Sequence, residues 1–168
     1  MDTMSINRIE RDKCIQDYYS DQMSHCYGCG RLNDIGMKIK SFWNEDENTS
    51  IAKFTPKSYY TAFPGYVYGG LLASLIDCHG TGTAAAAAYK SEGRKMGTQP
   101  ELRYVTASIH VDYIKPTPID QELELIGKIK EIKGKKVIVE VNLYANGELC
   151  VKGEVIAVKI PESMISEK

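Results

Sequence analysis

Residues 69–89 read Gly69-Gly70-Leu71-Leu72-Ala73-Ser74-Leu75-Ile76-Asp77-Cys78-His79-Gly80-Thr81-Gly82-Thr83-Ala84-Ala85-Ala86-Ala87-Ala88-Tyr89, a run of small and apolar residues that holds one carboxylate and one imidazole. About 20 apolar residues can cross a bilayer, but Asp77, His79 and the interspersed Thr and Gly fit a lipid span poorly. A helix apolar on every side must be covered on every side. The run therefore predicts one long helix buried in a folded core, with no insertion into a membrane.

On either side of it the apolar period changes to two. Met37–Trp43 alternates, turn-forming residues follow at 44–48, and Ser50–Phe54 continues, so these read as a hairpin. Pro64-Gly65 and Gly69-Gly70 mark a loop feeding the helix, and 91–100 is polar and turn-rich. Beyond it Tyr104–Ile114, Glu122–Ile132, Lys136–Tyr144 and Glu148–Ile160 alternate as four strands in a meander, the last two joined by Asn146-Gly147, a strong hairpin signal. Strands that alternate cleanly have one face in water and one on something apolar. The helix is the only large apolar object available. The pattern is α+β: a curled antiparallel sheet wrapped around one long central helix.

The chain has 168 residues, which predicts one domain. The expected division is an N-terminal extension over 1–24, with an amphipathic helix at Ile9–Met23, a main domain over 25–162 and a short tail over 163–168. Lys and Arg number 21 against 22 Asp and Glu, for a net charge of −1, so there is no basic footprint for nucleic acid. The start, Met1 to Lys13, is too polar for a secretory signal, and five cysteines make an odd, sparse set. Both features predict a cytoplasmic protein with reduced thiols.

Asp77 is the first candidate for chemistry. A lone buried carboxylate costs several kcal/mol, so it needs either a structural partner or a role as general base or nucleophile. Gly69 and Gly70 open the helix, where unpaired N–H groups and the dipole can hold a developing oxyanion. From Gly69 to Asp77 is 77 − 69 = 8 residues, about 12 Å along a helix. One small carbonyl group cannot touch both. If both serve one reaction, Asp77 comes from a second copy of the chain, which predicts a site at a dimer interface. Cys26-x-x-Cys29 beside His25 falls short of a zinc site, because four ligands are needed and no second closely spaced Cys/His pair exists. Cys78, His79 and Asp77 cannot form a triad, since sequence neighbours on a helix do not face one another.

The run Phe63–Asp77 resembles the PGxVHGGxxAxLLD signature of hotdog-fold acyl-CoA thioesterases, in the phenylacetyl-CoA thioesterase-like branch. Cys26–Met37 is similar to that branch's CFxCGxxNPxGL run, and Val105–Pro116 to its TxxLxVxYLRP strand. The likeness spans about residues 25–160 and implies hydrolysis of an acyl-CoA thioester by a homodimer, or a dimer of dimers, without metal or cofactor. On it, the CxxCG run is a family marker. Asp77 matches the catalytic carboxylate, Gly70 with Gly69 the backbone donors to the thioester carbonyl, and Thr106 a hydroxyl that places the attacking water. Tyr68 and Ser74 flank the substrate, while Lys90, Arg94 and Lys115 are candidate cations for CoA phosphates. Tyr68 stands where the family has His, and Ala62 lies where some relatives place Asn or Gln. The substitution at Tyr68 keeps a second reading open: a non-catalytic binder of acyl-CoA or an aromatic ligand.

Overall fold

A computed structural model describes residues 13–165. The strands are β1 (Ser41–Asn44), β2 (Thr49–Phe54), β3 (Tyr104–Tyr113), β4 (Leu123–Lys133), β5 (Lys136–Ala145) and β6 (Glu148–Lys159), and the long helix α1 is Gly69–Ser91. A single turn, α2 (Glu162–Ile165), follows β6. All pairings are antiparallel and form one six-stranded sheet in the order β1-β2-β4-β5-β6-β3. The helix packs on its inner face, as the alternation predicts, and the arrangement is that of the hotdog fold.

Alternation sets which face is inner. In β5, Val137, Val139, Val141, Leu143 and Ala145 are buried, and on the neighbouring strands Leu123, Leu125, Val151, Val155 and Ala157 join them. They meet Leu72, Leu75 and Ile76 of α1. Full burial of each such aliphatic side chain is worth about 1.5–3 kcal/mol. Close approach is allowed by Gly153 on β6, where an added Cβ would lie 2.4 Å from Ile76 Cγ2. The Asn146-Gly147 turn has positive φ at both residues, 51° and 77°, the geometry of a two-residue hairpin.

Three expectations are corrected. β4, β5 and β6 form a meander, but β3 does not precede β4 in the sheet; it pairs with β6 at the far edge. The first strand begins at Ser41, not Met37. Met37 and Ile39 instead give their N–H groups to Tyr27 O and Gly28 O, and Lys38 has a φ of 54°, which breaks the extended run. The described part of the expected amphipathic helix is two 3-10 turns, Ile15–Tyr18 and Asp21–Met23, separated by extended backbone at Tyr19; residues 9–12 lie outside the described residues.

Those turns have a packing role. Every residue of α1 from Cys78 to Tyr89 is buried, which the sheet alone could not achieve for an all-round apolar helix. Ile15 and Tyr19 close over the outer side at Ala86. The inner side carries a polar network instead of oil at one point. His79 Nδ1 lies 2.8 Å from Ser41 Oγ and Nε2 2.9 Å from Ser50 Oγ, with Ser50 Oγ 2.5 Å from Thr83 Oγ1. Gln16 adds a bond from its Nε2 to Ser41 Oγ and accepts from Ser41 N–H. Burial pushes the His79 imidazole down to about 4, so it is neutral at physiological pH.

Candidate active site

Among the described residues, nothing covers the outer side of the first half of α1 as Ile15 and Tyr19 cover the second half. Gly70 is exposed and Ala73, Ser74 and Asp77 are half-buried, positions spaced i, i+3, i+4, i+7 that make one stripe along the helix. Beside the stripe runs β3. Among the described residues it has no partner strand on its outer side in the sheet, and Val105, Ile109 and Tyr113 are exposed on it. A bulge between Thr106 and Ser108 shifts its register against β6.

Two groups of side chains meet here. Thr106, half-buried on β3, donates its hydroxyl hydrogen to Asp77 Oδ1. The carboxylate is therefore neither lone nor fully buried: it has one hydrogen-bond donor and an open side. At the start of the helix, Ser74 Oγ donates to Gly70 O at 2.9 Å, and Tyr113 Oη donates to Gly69 O at 2.8 Å. Among the described residues no side chain caps the N-terminus of α1; Leu71 N–H bonds to Tyr68 O, and the Gly69 and Gly70 N–H groups are left for another acceptor. Tyr68 is the N-cap residue, and its ring lies against Gly70; an added Cβ there would come within 2.4 Å of Tyr68 Cε2. Tyr113 was not anticipated from the sequence, although it ends the strand whose motif was read.

The candidate cations are dispersed and engaged. Lys90 Nζ donates to Glu45 O and, at 2.8 Å, to Asn48 Oδ1 on the β1–β2 turn. Arg94 pairs with Glu92 at 2.7 Å and donates to Thr98 O at 2.8 Å. Lys90 is in the last turn of α1 and Arg94 lies just past its end, so both are far from Gly69 along a helix that over its 23 residues spans about 35 Å. Lys115 follows β3 at the Gly69 end and pairs with Glu148 at 2.9 Å.

A second cluster lies behind Asp77. The sulfurs of Cys26, Cys29 and Cys78 all fall within 4.8 Å of one another, with Cys26 Sγ 3.9 Å from Cys78 Sγ. S–H bonds from Cys29 and Cys78, then the backbone N–H groups of Cys29 and Gly28, hold the Cys26 thiol well below the usual thiol range. Cys29 is pushed up to about 11, first by its bond to Cys26, and Cys78 is raised for the same reason. The sequence could not pair Cys78 with the CxxC run, since 52 positions separate it from Cys26. His25 is exposed and lies outside the cluster, and His110 is exposed beside Asp112.

A model of the thioesterase superfamily matches residues 64–152, just over half of the chain and all of the elements that build the Asp77 site. The chain belongs to the thioesterase superfamily. It is similar to acyl-coenzyme A thioesterase THEM4 of Xenopus laevis, with 27% identity over 126 residues, 75% of this chain and 51% of that protein. The Mus musculus protein of the same name is 28% identical over 126 residues, 75% of this chain and 49% of that protein. The chain thus spans about half the length of the curated relatives it matches. A thioesterase superfamily protein from Shewanella loihica is 46% identical, with 85% of this chain and 100% of that chain aligned at a TM-score of 0.64. The PaaI protein of the Escherichia coli phenylacetic acid degradation operon shares the fold at 13% identity, covering 74% of this chain and 81% of that chain with a TM-score of 0.60. As a superfamily member the chain carries its hotdog core on the strands and helix the alternation predicted, and among the described residues no helix is long and apolar enough to cross a membrane.

Proposed function

We propose that this chain hydrolyses an acyl-CoA thioester to a carboxylic acid and CoA, in the cytoplasm, at a site shared by two subunits. The observation that carries the reading is the Thr106–Asp77 hydrogen bond beside the open helix stripe. In the reaction Asp77 takes a proton from water, or attacks the carbonyl itself, and Thr106 holds the carboxylate in place. The N–H groups at Gly69 and Gly70 stabilise the oxyanion. A thiolate leaves readily, so little acid assistance is needed. Asp77 and Gly70 lie on one face but two turns apart, so the carbonyl at one chain's helix start meets the partner's carboxylate. The uncovered stripe and the free edge of β3 support a homodimer that buries both, and a dimer of dimers is the next assembly to test. Of the cations, Lys115 stands at the helix start, and all three reach phosphates only by leaving their present partners.

Tyr68 supports a second reading. Its ring packs on Gly70 at the donor end of the helix, and such a cover suits a protein that binds an acyl-CoA or aromatic ligand without turnover. A panel of short, medium, long and aromatic acyl-CoAs separates the two, with released CoA followed by chromatography so that protein thiols do not interfere. Hydrolysis abolished by Asp77→Asn supports the enzyme; saturable binding with no CoA release supports the binder.

A further inference from the structure

The reaction proposed above uses none of the three sulfurs, and their arrangement is specific. Residues 26–30 form a tight turn closed by the Gly30 N–H on Cys26 O at 2.7 Å. Leu32 N–H on Ser24 O and Ile39 N–H on Gly28 O, each at 3.0 Å, brace it on both sides. Two glycines make room for it. An added Cβ at Gly30 would lie 2.5 Å from Cys26 N, and one at Gly28 would lie 2.3 Å from Cys78 Sγ. The turn is thus shaped to set two sulfurs against a third that projects from α1. A zinc–sulfur bond of about 2.3 Å implies sulfurs about 3.8 Å apart around a tetrahedral ion, and Cys26 Sγ and Cys78 Sγ are 3.9 Å apart.

A second feature is a buried cation without a carboxylate of its own. Arg103 is 8% exposed and stacks over the Tyr19 ring at 4.2 Å. It donates to Tyr104 O, its Nε has no partner, and it makes no ion pair with a carboxylate among the described residues. Burial works against its charge, and Tyr19 and the three cysteines favour that charge when they are ionised. A buried guanidinium without a counter-ion is costly. Three thiolates around a divalent cation carry a net charge of −1, which offsets it.

We propose that Cys26, Cys29 and Cys78 bind one thiophilic d10 metal ion, Zn2+ in the first place, through three thiolates, with the fourth position taken by water or an exogenous donor. The spacing objection raised by the sequence concerned a second nearby Cys/His pair; the third ligand comes from the helix instead. Binding replaces S–H bonds with metal–sulfur bonds and releases the displaced protons to solvent, with no change in oxidation state. The ion ties the 26–30 turn to α1 one residue past Asp77, so its role is to hold the helix. Imidazole is absent from the set, which matches the preference of soft ions for thiolate.

The test uses the full chain, purified under reducing conditions and freed of any affinity tag. Elemental analysis should find about one zinc per chain. After stripping, Co2+ should give sulfur-to-metal charge-transfer absorption with tetrahedral d–d bands, abolished on adding Zn2+. Cys26→Ser, Cys78→Ser and Gly28→Ala should lose the ion, whereas Cys150→Ser and Cys14→Ser should keep it. The wild-type Co2+ titration decides the matter even if a cysteine variant fails to fold. Reduced wild-type protein that binds neither ion tighter than about 10 µM overturns the proposal. So does equal metal loss in Cys150→Ser, or a Cys26–Cys78 disulfide in anaerobically isolated protein. Metal content is read without any acyl-CoA, so failure here leaves the hydrolase reading intact, and the reverse holds.

Discussion

Thr106 on β3 gives its hydroxyl hydrogen to Asp77 on α1, joining two residues 29 positions apart across the edge of the sheet. This bond holds the one carboxylate of the helix. Asp77→Asn keeps the shape and the Thr106 contact but removes the base, so kcat should fall by about 10² or more while the melting temperature changes little. Thr106→Ala should cost less, because water can fill the vacated place. Steady-state kinetics beside thermal denaturation check both; an unaltered rate in Asp77→Asn defeats the catalytic assignment.

A shared site makes activity depend on assembly. Sedimentation should show a dimer or larger at micromolar concentration, and dilution to monomer should abolish turnover. When Asp77→Ala and Gly70→Pro chains are refolded together, random pairing should restore about one quarter of the wild-type rate, since half of the dimers carry one intact site of two. No recovery in re-paired dimers argues that one chain supplies the whole site.

Tyr68 and Gly70 are in contact, so the phenol shapes the donor end of the helix. Tyr68→His should raise kcat/KM for at least one acyl-CoA by opening that space. Tyr68→Phe should lower it by about 10- to 100-fold if the hydroxyl bonds to the thioester oxygen, and should leave it level if only the ring matters. Indifference of both variants across the acyl-CoA panel means that Tyr68 takes no part in the site.

His79 is a structural residue by its surroundings. His79→Leu leaves the buried hydroxyls of Ser41 and Ser50 without their ring partners and should destabilise the fold by on the order of 3 kcal/mol. Ser50→Ala should cost less, because it also removes one of the groups that would go unpaired. Urea denaturation gives both values; a stable His79→Leu protein would show that the network is dispensable.

Much of this molecule was legible in the chain itself. Local chemistry decides period, so alternating residues marked β2, β4, β5 and β6 to within about a residue or two of their observed ends, and Asn146-Gly147 marked its hairpin. The all-apolar run marked α1 for the same reason. Asp77, Gly69 and Gly70 stood out because a carboxylate inside such a run and paired glycines at its start are unusual wherever the chain goes.

What the sequence could not decide was which distant elements meet. β3 could have paired with β4; only closing the sheet around α1 sends it to β6, where its edge and Thr106 face the open stripe of the helix. The expected helix at 9–23 depended on periodicity alone, whereas the described turns exist to place Ile15 and Tyr19 over Ala86. Cys78 reads as one more small apolar residue of a buried helix. Its sulfur joins Cys26 and Cys29 because packing, not spacing, brings the 26–30 turn onto α1. Periodicity is a property of neighbours along the chain, while a site is a property of neighbours in space, set by long-range contacts that no local pattern encodes.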